Sequence, residues 1–247
     1  MSALDGWVSG EHTAHVNGRP RTFPTYRRGT GPGVIVIHEM PGLTEGVIGF
    51  GQEVVDAGFT VVLPHLFGAA GKPWAAADTL RIFPGICVSR EFTKLATGVT
   101  TPMAGWLQSL ARSLHAELGG PGVGALGMCF TGGFALAMML DESTVAPVLC
   151  QPSVPFFGSQ ARNADLNLSA ADASTVRERA RAGCEVLGLR YRSDKMTGTR
   201  FDTLTDLIGD RFLRVEFEGE GHSTVTEQRQ QEGVDRVLRF FEEKLRG

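Results

Sequence analysis

The sequence predicts an α/β fold: a mostly parallel, doubly wound sheet with helices on both faces. Two observations carry this expectation. Short runs such as Val34-Ile-Val-Ile37, Thr60-Val-Val-Leu63 and Val123-Gly-Ala-Leu126 are continuously apolar rather than alternating, the pattern of strands covered on both faces. Between them lie longer stretches with helical apolar spacing, and the alternation of the two types is the mark of a parallel sheet. At 247 residues and 42% hydrophobic composition, the chain has the size of one α/β domain with a sizeable core, so a single domain over residues 1–247 is expected.

Taken in order, Asn17-Gly18 is a two-residue hairpin signal between His12–Val16 and Arg19–Tyr26, so residues 1–28 should form antiparallel strands at the sheet edge. Gly29–Gly33 is a loop, Val34–Ile37 a buried central strand and Gly46–Ala57 a helix stopped by Gly58. Thr60–Leu63 follows as a strand. Residues 66–98 contain Gly68, Gly71, Pro73, Pro84 and Gly85 among aromatics, and are expected to be an irregular, pocket-lining segment. In it Trp74 and Phe92 are candidate pocket walls. Arg81 and Arg90 are candidates to bind a substrate carboxylate, since guanidinium suits bidentate contact. Met103–Leu118 carries apolar residues at 103, 106, 107, 110, 111, 114 and 118, a helical stripe facing a core. Ala146–Leu149 is a strand, and Gln151–Ser169 a loop whose Phe156-Phe157 pair is a further candidate pocket wall. Ala170–Ala182 is a basic helix, Glu185–Tyr191 a strand, Thr199–Ile208 a short helix, Phe212–Phe217 the last strand and Thr224–Leu245 the closing helix.

Bulk properties exclude several classes. A net charge of -3 gives no reason to expect nucleic acid or an anionic membrane as partner. Cys87, Cys129, Cys150 and Cys184 are widely spaced with no C-x-x-C pair, so neither a zinc site nor a disulfide framework is expected, and a reducing, cytoplasmic setting suits them. No stretch is long and apolar enough for a membrane span or a signal peptide.

The most informative stretch is Gly124-Ala-Leu-Gly-Met-Cys-Phe-Thr-Gly-Gly133. A strand, a sharp turn and then the helix Gly132–Leu140 would expose Cys129 at the end of a sheet, with helix amides pointing back at it. That is a nucleophile-elbow arrangement with cysteine in the serine position; the helix dipole favours a thiolate. The serine pattern has glycine where this chain has Thr131. Two more residues follow strands: Asp194 after the strand ending at Tyr191, and His222 after the strand ending at Phe217. Nucleophile, acid, histidine is the chain order of a hydrolytic triad in this fold class. His222 would take the thiol proton and protonate the leaving group, and Asp194 would hold the imidazole tautomer. His38-Glu-Met-Pro-Gly-Leu43 sits where such sheets bind ligands, so its loop can aim an amide into the site and bring Glu39 near the nucleophile. His38 and His65 also follow strands, but neither is assigned as the base.

The motifs Val-Ile-His-Glu-Met-Pro-Gly (36–42), Gly-Met-Cys-Phe-Thr-Gly-Gly (127–133), Ser-Asp (193–194) and Gly-Glu-Gly-His-Ser (219–223) together resemble the dienelactone hydrolase family of the α/β-hydrolase fold. The resemblance implies Cys129 as nucleophile, Asp194 as acid and His222 as base. It implies Glu39 as a carboxylate that interacts with the cysteine or histidine at rest, and the amides of Met40 and Phe130 as the oxyanion hole. It implies no metal and no organic cofactor. Family members carry an arginine four residues after the histidine, to bind the dienelactone carboxylate; here that residue is Thr226. The resemblance therefore implies hydrolysis of a small ester or lactone rather than of dienelactone itself. The rival readings are a non-catalytic binder of small molecules, and acyl transfer or C–C hydrolysis with the same triad. The sequence leaves monomer and homodimer both open.

Overall fold

The computed structural model describes residues 2–88, 92, 97–153 and 159–247, without the side chains of residues 83 and 86–88. Its core is an eight-stranded sheet in the order β1-β2-β5-β3-β7-β8-β9-β10. The strands are β1 (Val8–Val16), β2 (Arg19–Arg28), β3 (Gly33–Ile37), β5 (Thr60–Pro64), β7 (Val123–Met128), β8 (Thr144–Cys150), β9 (Val186–Tyr191) and β10 (Phe212–Phe217). The first two form the hairpin and pair antiparallel, β2 also pairs antiparallel with β5, and every other neighbour pair is parallel. This is the α/β-hydrolase-type sheet that the sequence predicts, with the hairpin at its edge.

Side chains alternate between the two faces of the sheet. Val34, Val36, Leu126, Met128, Val148, Leu187 and Leu189 join one core with helices α1 (Glu45–Asp56) and α8 (Gln231–Leu245). Ile35, Ile37, Val123 and Ala125 face the other way, onto α3 (Met103–Leu118) and α4 (Gly132–Met138). That second face continues over α6 (Ala170–Arg181) and α7 (Arg200–Ile208). Glycine at 188 leaves room for this packing: a Cβ there would meet the Phe212 ring at 2.5 Å. Among the described residues, no helix is long and apolar enough to cross a membrane.

Three expectations need correction. Residues 66–98 are not irregular throughout: β6 (Ala69–Lys72) pairs with β4 (Gly42–Thr44) in a small parallel sheet, and α2 spans Ala76–Val88 with Pro84 inside it. Pro84-Gly85 reads locally as a breaker, but the partly buried Ile82 packs against the core on the α3 and α4 side of the sheet, and such tertiary contact can override local propensity. The loop 151–169 contains a short helix, α5 (Gln160–Ala164). The closing helix begins at Gln231 and not at Thr224. The preceding residues are drawn elsewhere by side-chain bonds, as when both the amide and the hydroxyl of Thr224 donate to Gln151 Oε1. Arg90 and the Phe156-Phe157 pair lie outside the described residues.

Candidate active site

The chain runs from β3 to β5 on one side and then returns to place β7 on the other side of β3. Crevices at the carboxyl ends of strands form at such a switch point. Here the loop after β3 carries Glu39 and Met40, and β7 delivers Cys129. The next three strands, β8, β9 and β10, deliver Ser153, Asp194 and His222 at the same end of the sheet.

Cys129 opens a tight 3-10 turn, Cys129–Thr131, which leads into α4. Its φ is +55°, a left-handed conformation that costs a non-glycine residue of order 1–3 kcal/mol. The surroundings hold it there. The Ser153 amide donates to the Cys129 carbonyl at 3.0 Å. Thr131 Oγ1 accepts from the Met128 amide at 2.9 Å, and its single proton can serve Met128 O at 2.8 Å or the carbonyls of Ile37 and His38, both at 3.2 Å. Thr131, which departs from the glycine of the serine pattern, is fully buried and braces the turn. The close approach falls on Gly127 instead, where a Cβ would stand 2.2 Å from Thr131 O.

The Cys129 sulfur is buried and lies 3.1 Å from Ser153 Oγ. His222 Nδ1 lies 2.9 Å from Asp194 Oδ2, an arrangement that fixes the proton on Nδ1 and leaves Nε2 for the reaction side. That Nε2 is buried and makes no hydrogen bond of ordinary geometry, and its interaction is with the Cys129 sulfur across the site. One donor atom each from His222, Cys129 and Glu39 lie within 4.8 Å of one another, the only such metal-sized cluster among the described residues. Burial works against a charge on His222, but its electrostatic and hydrogen-bond interactions with Cys129 and Asp194 together outweigh it and raise the imidazole to about 11. For Asp194, burial again opposes charge. Bonds from His222, Thr197 Oγ1 at 2.7 Å and the Met196 amide at 2.9 Å hold its carboxyl below the usual carboxylate range.

Glu39 is buried and its carboxylate is well supplied with donors. Ser223 Oγ donates to Oε2 at 3.0 Å, Gln151 Nε2 to the same oxygen at 3.4 Å, and Thr226 Oγ1 to Oε1 at 2.5 Å. Thr226 therefore serves Glu39. His38 is fully buried: the Leu66 amide donates to its Nε2 at 3.1 Å and its Nδ1 donates to Glu39 O at 3.0 Å. Burial takes its imidazole down to about 3, so it is a neutral brace for the 38–40 loop. His65 lies beside it, with Nε2 3.2 Å from Gly68 O.

The other sequence candidates lie further out. Phe92 is buried in an aromatic cluster, stacked 5.9 Å from Phe134 and edge-on to Phe67 and Phe130. Arg81 lies on α2 and lines a cleft of about 360 Å³ with Pro41, Thr44, Lys72 and Asp78, and none of Cys129, Asp194 and His222 lines that cleft. Trp74 is 44% exposed. Ser153, Gln151, Ser223 and Thr197 contact the candidate residues but carry no local sequence pattern of their own. Only Ser223, adjacent to His222, lies inside a motif.

The family model of the dienelactone hydrolase family matches residues 22–187. Among solved structures, the fold resembles a candidate dienelactone hydrolase from Klebsiella pneumoniae subsp. pneumoniae at TM-score 0.62 and 15% identity, covering 97% of this chain and 98% of that one. It also resembles a dienelactone hydrolase-like promiscuous phosphotriesterase from metagenomic libraries, at 0.63 and 16%, covering 97% and 99%. A cold-adapted esterase from an Arctic intertidal metagenomic library gives 0.60 and 13%, covering 96% and 93%. No curated protein matches the chain.

Proposed function

The chain belongs to the dienelactone hydrolase family, and from that premise we propose that it cleaves a small ester or lactone through a Cys129–His222–Asp194 triad. The observation that carries this reading is the meeting of Cys129, in its left-handed turn, with a histidine whose Nδ1 is already held 2.9 Å from Asp194. A raised imidazole pKa supports a resting pair in which His222 carries the proton and the sulfur the charge.

In this reading the Cys129 sulfur attacks the ester carbon and the carbonyl π pair moves onto oxygen. The amides of Met40 and Phe130 are assigned to that oxyanion. The C–O bond then breaks, and His222 gives its Nε2 proton to the departing alkoxide. For a lactone the alkoxide stays tethered to the acyl group. Water next attacks the thioester, with neutral His222 taking its proton, and the thiolate leaves. Asp194 keeps the imidazole oriented throughout and supports its charge. Glu39, held by Ser223, Gln151 and Thr226, is a fixed negative charge beside the pair. No metal or organic cofactor enters these steps. We assign the substrate to small molecules and the setting to a reducing cytoplasm, on cysteine usage and charge.

The test is intact-protein mass spectrometry after brief incubation with small lactones and p-nitrophenyl esters. The expected result is a transient acyl adduct on the native chain and none on Cys129→Ala. Unchanged turnover by Cys129→Ala would sink the reading. Ligand retention without an adduct would favour a binding protein.

A further inference from the structure

We propose that the same pocket is a binding site for one thiophilic divalent cation, best matched by Zn²⁺, on Cys129 Sγ, His222 Nε2 and a Glu39 carboxylate oxygen, and that the bound ion silences the nucleophile. Binding rests on the donor geometry alone; the silencing rests on the hydrolase reading above.

The three donors come from the loops after β3, β7 and β10, and lie within 4.8 Å of one another. Zinc bonds of about 2.0–2.3 Å in a tetrahedron set donors roughly 3.3–3.8 Å apart. The side chains therefore need to close in by about 1.5 Å at most. His222 is prepared for this. Its Nε2 is buried and makes no hydrogen bond of ordinary geometry, interacting only with the Cys129 sulfur that would share the ion, and Asp194 already holds Nδ1 at 2.9 Å. A carboxylate behind a ligating histidine is the usual support for a zinc-bound imidazole. Glu39 is an acceptor with capacity to spare. Three donors use three of the roughly four lone-pair directions of a carboxylate, and the side with one donor, Oε1, keeps a direction free.

The donor types decide the ion. Thiolate and imidazole select Zn²⁺ over Mg²⁺ or Ca²⁺, which take oxygen. Three protein ligands leave a fourth position for water. On binding, the hydrated ion sheds waters, a sulfur–zinc bond forms to the thiolate, and the single proton of the pair, on His222 Nε2, passes to solvent while Nδ1 keeps its proton toward Asp194. The metal then occupies both the sulfur lone pair that would attack and the nitrogen that would move the proton.

The experiment uses the full chain after chelator treatment. Zn²⁺ is titrated by calorimetry, and Co²⁺ serves as a spectroscopic stand-in whose sulfur-to-metal charge-transfer band reports a thiolate ligand. One ion per chain is expected, with a near-ultraviolet Co²⁺ band. Cys129→Ala should abolish the band and weaken Zn²⁺ at least a hundredfold. Glu39→Gln should weaken it at least tenfold, and Asp194→Asn about tenfold through the imidazole. Ester turnover should fall in proportion to occupancy and return with EDTA. Circular dichroism checks that each variant is folded. If Glu39→Gln does not fold, Cys129→Ala, which removes a single atom beyond Cβ, still decides the matter. Equal Zn²⁺ affinity in Cys129→Ala and the native chain would overturn the site, as would a missing Co²⁺ band in the native chain. Full turnover at saturating zinc would overturn the silencing. A chain that binds Co²⁺ through Cys129 yet hydrolyses no ester upholds the site while refuting the hydrolase reading.

Discussion

Thr131 Oγ1 lies 3.2 Å from the carbonyl oxygen of His38, so one side chain ties the turn that carries Cys129 to the loop that carries Glu39 and Met40. The same oxygen accepts from the Met128 amide at 2.9 Å. The position where a serine elbow has glycine is here a staple between the Cys129 turn and the 38–40 loop, and the β-branched residue fits because its hydroxyl replaces backbone bonds that the turn cannot make.

Replacing Thr131 by valine keeps the shape and removes the hydroxyl, which leaves the buried Met128 amide without its acceptor. The expected loss is about 1–3 kcal/mol of stability, with ester turnover down about tenfold or more as Cys129 loses its register with Met40. Thr131→Ser should retain most of both. Denaturant unfolding and kcat/KM measure the two effects, and a native-like Thr131→Val would contradict the staple.

Thiol reactivity should single out Cys129. Burial pushes the Cys150 and Cys184 thiols up, away from the reactive form, whereas Cys129 faces a cationic His222. Under brief iodoacetamide treatment followed by peptide mapping, Cys129 should be alkylated well before Cys150 and Cys184. Comparable labelling of all three would count against the ion-pair reading.

The His222–Asp194 pair sets a pH window for stability. Folding raises His222 from its ordinary 6.5 to about 11, so its contribution is fully present below pH 6.5 and fades as pH rises toward 11. Folding lowers Asp194 from its ordinary 3.8, so its contribution is present above pH 3.8 and lost in more acid solution. The stability difference between the native chain and Asp194→Asn should thus be larger at about pH 5 than at about pH 9. Denaturant midpoints at the two pH values check this. Activity of Asp194→Asn should fall by a factor on the order of 10³–10⁴.

Ser153 Oγ lies 3.1 Å from the Cys129 sulfur. Ser153→Ala keeps the main-chain bond to Cys129 O and should cost under about 1 kcal/mol of stability. On the proposed thiolate the Ser153 hydroxyl would donate to the sulfur, so we expect kcat to fall by up to about tenfold with KM little changed, since such a contact acts on the reacting atom and not on substrate binding. A rise in KM at constant kcat would place Ser153 in the substrate pocket instead.

Much of this was legible in the linear chain. The continuous apolar runs predicted β3, β5 and β7 because a strand buried on both faces has no polar side to show. The glycines around Cys129 marked the elbow because the close approach of turn, helix and neighbouring loop leaves no room for a Cβ at Gly127 or Gly132. Residues 66–98 depart from expectation for the opposite reason: proline and glycine are local signals, and the packing of the partly buried Ile82 of α2 against the core is not local. Nor could Thr226 be placed, since it stands 187 residues from Glu39, whose carboxylate it meets at 2.5 Å.

By itself, then, the sequence determined the strand and helix alternation, the elbow with Cys129, and the chain order of Cys129, Asp194 and His222, because these are written in periodicity and in short-range turn chemistry. Only the tertiary structure decided which hydroxyls hold them. Ser153 at the sulfur, Thr131 between two loops, and the Ser223, Thr226 and Gln151 cradle of Glu39 are made by strands that become neighbours only when β3, β7, β8, β9 and β10 line up in the sheet. A hydrogen bond acts over about 3 Å of space whatever the separation along the chain, so its partners become readable only after the fold has set those distances.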